Sequence, residues 1–475
     1  MGRKTEILMG DTLIRNATLV NEGQLFQGDL LIHNGRIADI IPQGEASEKY
    51  LEIRNSEFKI TQEVDATGCY LLPGIIDTHV HFRDGGDGSN PAGDFATESR
   101  AALAGGVTSV IDMPNTQPPT VSVEALETKM RMAAEKSAVN YGFMLGATNG
   151  NIDTLLQADP KSHAAIKLFL GSSTGNMLVD HDEVLERLFR ESRKLIVAHC
   201  ESEPIIRNNL ANLRAEFQGT EGETAALHPK VRNTEACFVS TYHAIERARR
   251  FGTRLHIAHI STATELSLLS NQSLDRKHIT AEVTPNHLWF DDRDYATLGN
   301  RIKCNPAIKR NEDRLALWAA LEDGLIDTIA TDHAPHPLEA KQKPYFEAPS
   351  GIPSIQHALQ MMLESVFANV SSTLDSQFST INSQFLLTTI VEKMCHNPAR
   401  LFGIRERGFL RRGYCADLVL VRPCPEGETV TRDTLRYKCG WSPLEGMTFH
   451  TRIEHVWVNG DDTGGINGQP LEYDV

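Results

Sequence analysis

Six side chains able to hold a metal or move a proton stand at regular stations along the middle of this chain: His79, His81, Lys167, His199, His259 and Asp332. Imidazole and carboxylate are nitrogen and oxygen donors of the kind that zinc takes. His79 and His81 lie two apart in GIIDTHVHF, so on a β-strand both face one side. His199, His259 and Asp332 stand at the ends of the apolar runs KLIVAHC, RLHIAHI and IDTIATD. Lys167 sits alone among apolar residues in AAIKLFL. His163 and His256 do not end their runs and read as core histidines. Cys200 and Cys304 read as ordinary reduced thiols, since the chain has no C-x-x-C pair.

An architecture must bring these stations together. Eight strand-like runs, at 74–82, 106–113, 139–145, 164–170, 194–200, 254–260, 278–284 and 326–332, alternate with helix-period stretches such as VEALETKMRMAAEKSA and HDEVLERLFRESRK. That alternation predicts an α/β chain built as a (β/α)8 TIM barrel, whose chemistry sits at the C-terminal strand ends. Both chain ends carry short strand patterns, TLIRNATLV and GDLLIHNGRIADI at the start, ADLVLVRP and HVWVNG at the close, with Asn34-Gly35 as a hairpin turn. The expected layout is a small discontinuous β-sandwich domain from residues 1–70 and 405–475, flanking a barrel at 71–404. A chain of 475 residues suits such a division.

A formal charge of -15 argues against a nucleic-acid partner, which needs a clustered basic face. It leaves room for an anionic small molecule, because screening confines exposed charges to about 8 Å and a local cationic pocket overrides the global sign. No signal-peptide core and no long apolar run is present, so a cytoplasmic protein with no membrane contact is expected. A homodimer is the expected assembly.

The motifs IDTHVH followed by FR, then DMPNTQPPT, TDHAPH and HNPARLFG, resemble the dihydroorotase branch of the amidohydrolase superfamily over nearly the whole chain. The combination of HxHxR with DMPNT and DHAPH is much narrower than HxH alone. The resemblance implies two zinc ions per subunit: His79, His81 and Asp332 on one, His199 and His259 on the other. Lys167, in IKLFLGSSTGN, matches the family lysine that carbon dioxide carboxylates to bridge both metals. A lysine in an apolar strand prefers to be neutral, a neutral amine adds carbon dioxide, and two cations stabilise the carbamate. Some relatives bridge with an aspartate instead, and Asp153 or Asp159 is the candidate here; the residues flanking Lys167 favour the lysine.

The reaction so implied is reversible hydrolysis of the cyclic amide of dihydroorotate to N-carbamoyl-aspartate, in pyrimidine biosynthesis. A zinc-activated hydroxide is the nucleophile, and Asp332 is the proton shuttle. Arg83, two places after His81, faces the same side and can hold a carboxylate through two parallel hydrogen bonds. Asn115 offers an amide donor and acceptor to the ring. By resemblance His336 also contacts the carboxylate, Thr174 in GSSTGN lies on a lid, and Gly351 in APSGI supplies backbone contacts. His287, in TPNHLWF, is expected to support the ligands from behind. The stretch RDGGDGSNPAGD after Arg83 is longer than the family pattern. The rivals are another cyclic amidohydrolase (allantoinase or dihydropyrimidinase), which needs no carboxylate-binding set, and a non-catalytic dihydroorotase-like scaffold, which would have lost metal ligands.

Overall fold

Strands buried on both faces must be apolar or internally bonded at every position, and the central runs meet that demand. In the computed structural model, which describes residues 10–45, 49, 58–171, 177–216, 224–367 and 383–474, Ile75–Val80 (β6) and Val107–Asp112 (β7) are buried throughout. Asn140–Phe143 (β8) and Leu145–Gly146 (β9) form one interrupted strand. Ile166–Phe169 (β10), Ile196–His199 (β11), Leu255–Ile257 (β12), Ile279–Val283 (β13) and Thr328–Ile329 (β14) complete the set. All eight predicted runs become strands. They pair in parallel in chain order, β6 to β8 and β9 to β14. A parallel bridge between Val80 and His333 joins the last strand to the first. The fold is the expected (β/α)8 barrel.

The two helix-period stretches fold as Val123–Lys136 and Asp182–Glu191. The first starts on Ser122, whose hydroxyl accepts from the Ala125 N–H. The second buries Leu185, Leu188 and Phe189 against the wall at the three-to-four spacing that the sequence carries.

Both chain ends build one hydrogen-bonded path of strands. Asp11–Asn21 (β1), Gln24–His33 (β2), Arg36–Pro42 (β3), Ile60–Asp65 (β4) and Tyr70–Pro73 (β5) join Leu418–Thr429 (β15) and Thr448–Trp457 (β16) in the order β16-β15-β5-β1-β2-β3, with β4 beside β1. Asn34 and Gly35 take φ of 49° and 76°, the paired positive values of a two-residue hairpin turn. The core of this small sandwich unit includes Ile14, Leu19, Leu30, Leu71, Leu418 and Trp457. The C-terminal part also reaches the barrel mouth: Trp441 Nε1 donates to the His336 carbonyl at 2.7 Å, and the Tyr437 ring stacks on His333 at 5.4 Å. Among the described residues no helix is long and apolar enough to cross a membrane.

Candidate metal centre and substrate pocket

Five of the six chemical stations lie at the C-terminal end of a barrel strand or just beyond it, and Lys167 lies within one. His79 is the penultimate residue of β6 and His81 follows the strand; Lys167 is the second residue of β10; His199 closes β11; His259 and Asp332 lie shortly after β12 and β14. All six line one cavity, together with Arg83, Asn115 and Gly351. Arg83, His259 and Asp332 hold positive φ of 62°, 39° and 49°. Such backbone costs energy in residues with a Cβ and gathers at functional sites.

The hydrogen bonds fix which imidazole nitrogen faces inward. His79 donates Nδ1–H to Glu282 Oε1 at 2.7 Å, and His81 donates Nδ1–H to Asn115 Oδ1 at 2.7 Å. In a neutral ring the other nitrogen is then a lone pair. Burial pulls the His81 pKa down to about 3, so this ring is neutral near pH 7. Burial also opposes charge on Asp332, but the imidazoles of His79, His81 and His259 outweigh it and hold the acid well below the usual carboxylate range. His79 Nε2 and His81 Nε2 nevertheless lie 3.3 Å and 3.1 Å from Asp332 Oδ1. Imidazole nitrogens gathered this closely around a carboxylate form a donor set that suits a cation. The donor atoms of His79, His259 and Asp332 lie within 4.8 Å of one another, close enough to share one.

A second group adjoins the first. His199 Nδ1 and His259 Nε2 are 2.9 Å apart, while His199 Nε2 sits 3.0 Å from Glu201 Oε2. Glu201 is in turn held by Arg232. The His259 Nδ1 nitrogen is buried and, among the described residues, has no hydrogen-bond partner. Lys167 is fully buried, with Nζ 3.4 Å from His79 Nε2, and burial pulls its pKa down to about 8. A donor set of four imidazoles, a carboxylate and a readily neutralised lysine fits divalent metal. Asp153 and Asp159, the alternatives to Lys167, do not come here. Both are exposed, and Asp153 pairs with Arg187 at 2.8 Å.

Opposite the metal ligands the pocket is cationic. Arg83 is 8% exposed, its Nε has no hydrogen-bond partner, and no carboxylate pairs with it among the described residues. The Asn90 amide donates to the Arg83 carbonyl at 2.9 Å, tying the long following loop to it. His336 donates Nε2–H to the Ser350 carbonyl at 3.0 Å, and burial beside Arg83 pulls its pKa down to about 3. Gly351 has its N–H on the Lys303 carbonyl at 2.8 Å and its own carbonyl on Lys341 Nζ at 2.8 Å. Asn115 both lines the cavity and holds His81. Thr174 lies outside the described residues.

Sequence reasoning missed Glu282, Glu201, Asn305 and Phe169. Glu282 had a signal, a lone charge within the strand run HITAEVT. Asn305 and Phe169 line the cavity, the first on a loop without periodicity and the second indistinguishable from core. His287 touches Thr284 Oγ1 at 2.8 Å and the Pro306 carbonyl at 3.1 Å, so it braces the segment carrying Asn305 rather than a metal ligand. His256 is a core histidine that bonds Thr280 Oγ1 at 2.8 Å. Burial pushes Cys304 up to about 12 and Cys200 higher still, which makes both inert thiols.

Comparison with known proteins places the chain among amidohydrolases. Residues 70–462 match the amidohydrolase family. The chain is 33% identical to a dihydroorotase of Methanosarcina acetivorans, over 97% of this chain and 94% of that protein. It is 32% identical to a dihydroorotase of Halobacterium salinarum, over 93% and 98%. Its fold is similar to the solved L-hydantoinase (dihydropyrimidinase) from Arthrobacter aurescens, with a TM-score of 0.85, 26% identity, and coverage of 98% of this chain and 100% of that one.

Proposed function

Since this chain belongs to the amidohydrolase family, we propose that it is a dihydroorotase that interconverts dihydroorotate and N-carbamoyl-aspartate in pyrimidine biosynthesis. The reading includes two zinc ions per subunit, with His79, His81 and Asp332 on one, His199 and His259 on the other, and a carboxylated Lys167 between them. It also includes a cytoplasmic homodimer. Arg83 carries the substrate assignment: a buried guanidinium with no carboxylate partner among the described residues faces the cavity. A buried cation is costly unless paired, and dihydroorotate brings the missing carboxylate, whereas hydantoins and dihydropyrimidines need not.

His79, His81, Lys167, His199, His259 and Asp332 would hold the metal, which when bound would supply an activated water near neutral pH and Lewis-acid polarisation of the scissile carbonyl. The protein's own groups do the rest. Arg83 takes the substrate carboxylate and sets which ring amide faces Asp332. Asn115 fixes His81 through Nδ1, and Glu282 fixes His79 in the same way, so both rings keep Nε2 inward. Asp332, ionised and bordered by three imidazoles, accepts the proton of the attacking water and returns it to the departing ring nitrogen. Trp441 and Ser350 hold the two polar ends of His336 in place at the rim.

The deciding experiment measures bound metal and ring opening on dihydroorotate, dihydrouracil and allantoin side by side. Chelation abolishes turnover and zinc restores it, with dihydroorotate the preferred substrate. A preference for either neutral amide overturns the substrate assignment, and full activity in metal-free protein overturns the mechanism.

A further inference from the structure

Lys341 is 2% exposed and, among the described residues, pairs with no carboxylate. Its three N–H bonds meet three main-chain carbonyls: Lys303 at 2.9 Å, Pro349 at 2.9 Å and Gly351 at 2.8 Å. Burial pulls its pKa down to about 7, yet the amine serves all three carbonyls only while it keeps its third proton; the Lys303 carbonyl also accepts the Gly351 N–H at 2.8 Å, so Lys341 reinforces a link that the backbone begins. An ammonium in a cage of carbonyls works as a staple. It joins two stretches that come from separate parts of the chain and both border the substrate cavity: Ser350 and Gly351 on one, Asn305, two residues after Lys303, on the other.

The stapled stretch has little freedom to find this position unaided. Gly351 holds a φ of +145°, and a Cβ there would fall 2.3 Å from the Ala334 carbonyl oxygen and 2.9 Å from the His336 ring. The Ser350 carbonyl accepts from His336 Nε2 at 3.0 Å. Residues 349–351 therefore press against the wall that follows Asp332, with Lys341 drawing them in from behind. Outside the bridge at Ile352, no strand ladder supports them.

We propose that Lys341 is a positioning residue for substrate binding: by stapling residues 349–351 to Lys303, it sets the wall against which the substrate ring is held. This rests on the cyclic-amide reading of the same site. It assigns Lys341 no contact with the reacting atoms or the metal ligands, which predicts a split between binding and turnover.

The test uses full-length, metal-loaded Lys341→Ala and Lys341→Gln, assayed on whichever cyclic amide the wild-type enzyme opens. A wild type that ignores dihydroorotate sinks the substrate assignment and still leaves Lys341 testable on the amide it prefers. Orphaned buried carbonyls relax the wall, so KM rises by at least ~10-fold in Lys341→Ala while kcat stays within ~3-fold and the zinc content is unchanged. Lys341→Gln, which keeps two N–H donors, falls between the two and is the variant to read if the alanine protein does not fold. Ethylammonium or propylammonium added to Lys341→Ala lowers KM again by refilling the carbonyl cage; the same salts do nothing to wild type. Wild-type KM in a folded variant, loss of zinc, or equal falls in kcat and kcat/KM with no rescue by alkylammonium each overturn the proposal.

Discussion

Replacing Arg83 with methionine separates recognition of a carboxylate from support of the site. The perturbation removes a guanidinium that is 8% exposed and pairs with no carboxylate among the described residues. No anion is stranded by the change, and the methionine fills most of the same volume. Loss of an uncompensated buried cation therefore leaves the melting temperature unchanged or raises it. The φ of 62° at this position persists in the variant and contributes equally to both proteins. Binding suffers instead. A hydrogen bond to a charged group contributes about 1.5–3 kcal/mol, and each ~1.36 kcal/mol is a factor of ten. Loss of one such bond lowers kcat/KM for dihydroorotate by about 10- to 150-fold, and loss of a bidentate pair lies at or beyond the upper end. Steady-state kinetics on dihydroorotate and dihydrouracil, thermal melts and zinc analysis on one preparation make the assay. The dihydrouracil rate, with no carboxylate to lose, stays near wild type, and zinc stays bound. If the two activities fall together, or the melting temperature drops by several degrees, Arg83 supports the fold and the carboxylate argument fails.

Lys167→Ala loses turnover and part of its zinc, and small carboxylic acids partly restore both; two zincs with normal turnover in that variant would exclude the lysine bridge. Asp332→Asn keeps size but not basicity, so kcat falls by ~10² or more; wild-type kcat between about pH 6 and 9 would remove it from proton transfer. Burial holds the pKa of His163 and His357 at about 4, well below the ordinary 6.5. The unfolded chain then takes up protons that the folded one refuses, so stability is complete above pH 6.5 and is lost as pH falls towards about 4. His163→Leu or His357→Phe flattens the melting-temperature profile across that window; an unchanged acid slope in both would show that these rings are not its source.

The residues that gather in the cavity were legible because a barrel confines chemistry to strand ends, so a charged or imidazole side chain closing an apolar run stands out. His79, His81, His199, His259 and Asp332 all satisfy that rule, and Lys167 satisfies a related one, a lone amine inside an apolar strand. Glu282 breaks the pattern. In HITAEVT a carboxylate alternating with small residues reads as solvent-facing, and only barrel closure turns it inward against His79. Asp153 and Asp159 do not reach the cavity because neither is on a strand: Asp153 is in the first turn of the helix after β9, paired with Arg187, and Asp159 is exposed on the connection before β10. Lys341 had no local signal at all, since KQKPYF reads as a solvated turn. Only the three carbonyls that converge on it, from residues 303, 349 and 351, distinguish it from an exposed lysine.

These features combine into a pocket with two poles. At one, Asp332 meets the inward Nε2 atoms of His79 and His81, with Glu282 and Glu201 adding negative charge behind His79 and His199. At the other, Arg83 is a buried cation with no carboxylate partner among the described residues. Each pole is unfavourable in isolation, because desolvated charge needs a counter-charge. Divalent metal balances the first, and only an anionic substrate group balances the second. A neutral cyclic amide would occupy the ring position and leave Arg83 uncompensated in every bound state. A cyclic amide whose carboxylate-bearing carbon sits one methylene away from the scissile carbonyl can satisfy both poles at once, with the carboxylate on Arg83 and that carbonyl towards Asp332. The same charge separation that favours dihydroorotate over its uncharged analogues thus also selects the amide bond that is cut.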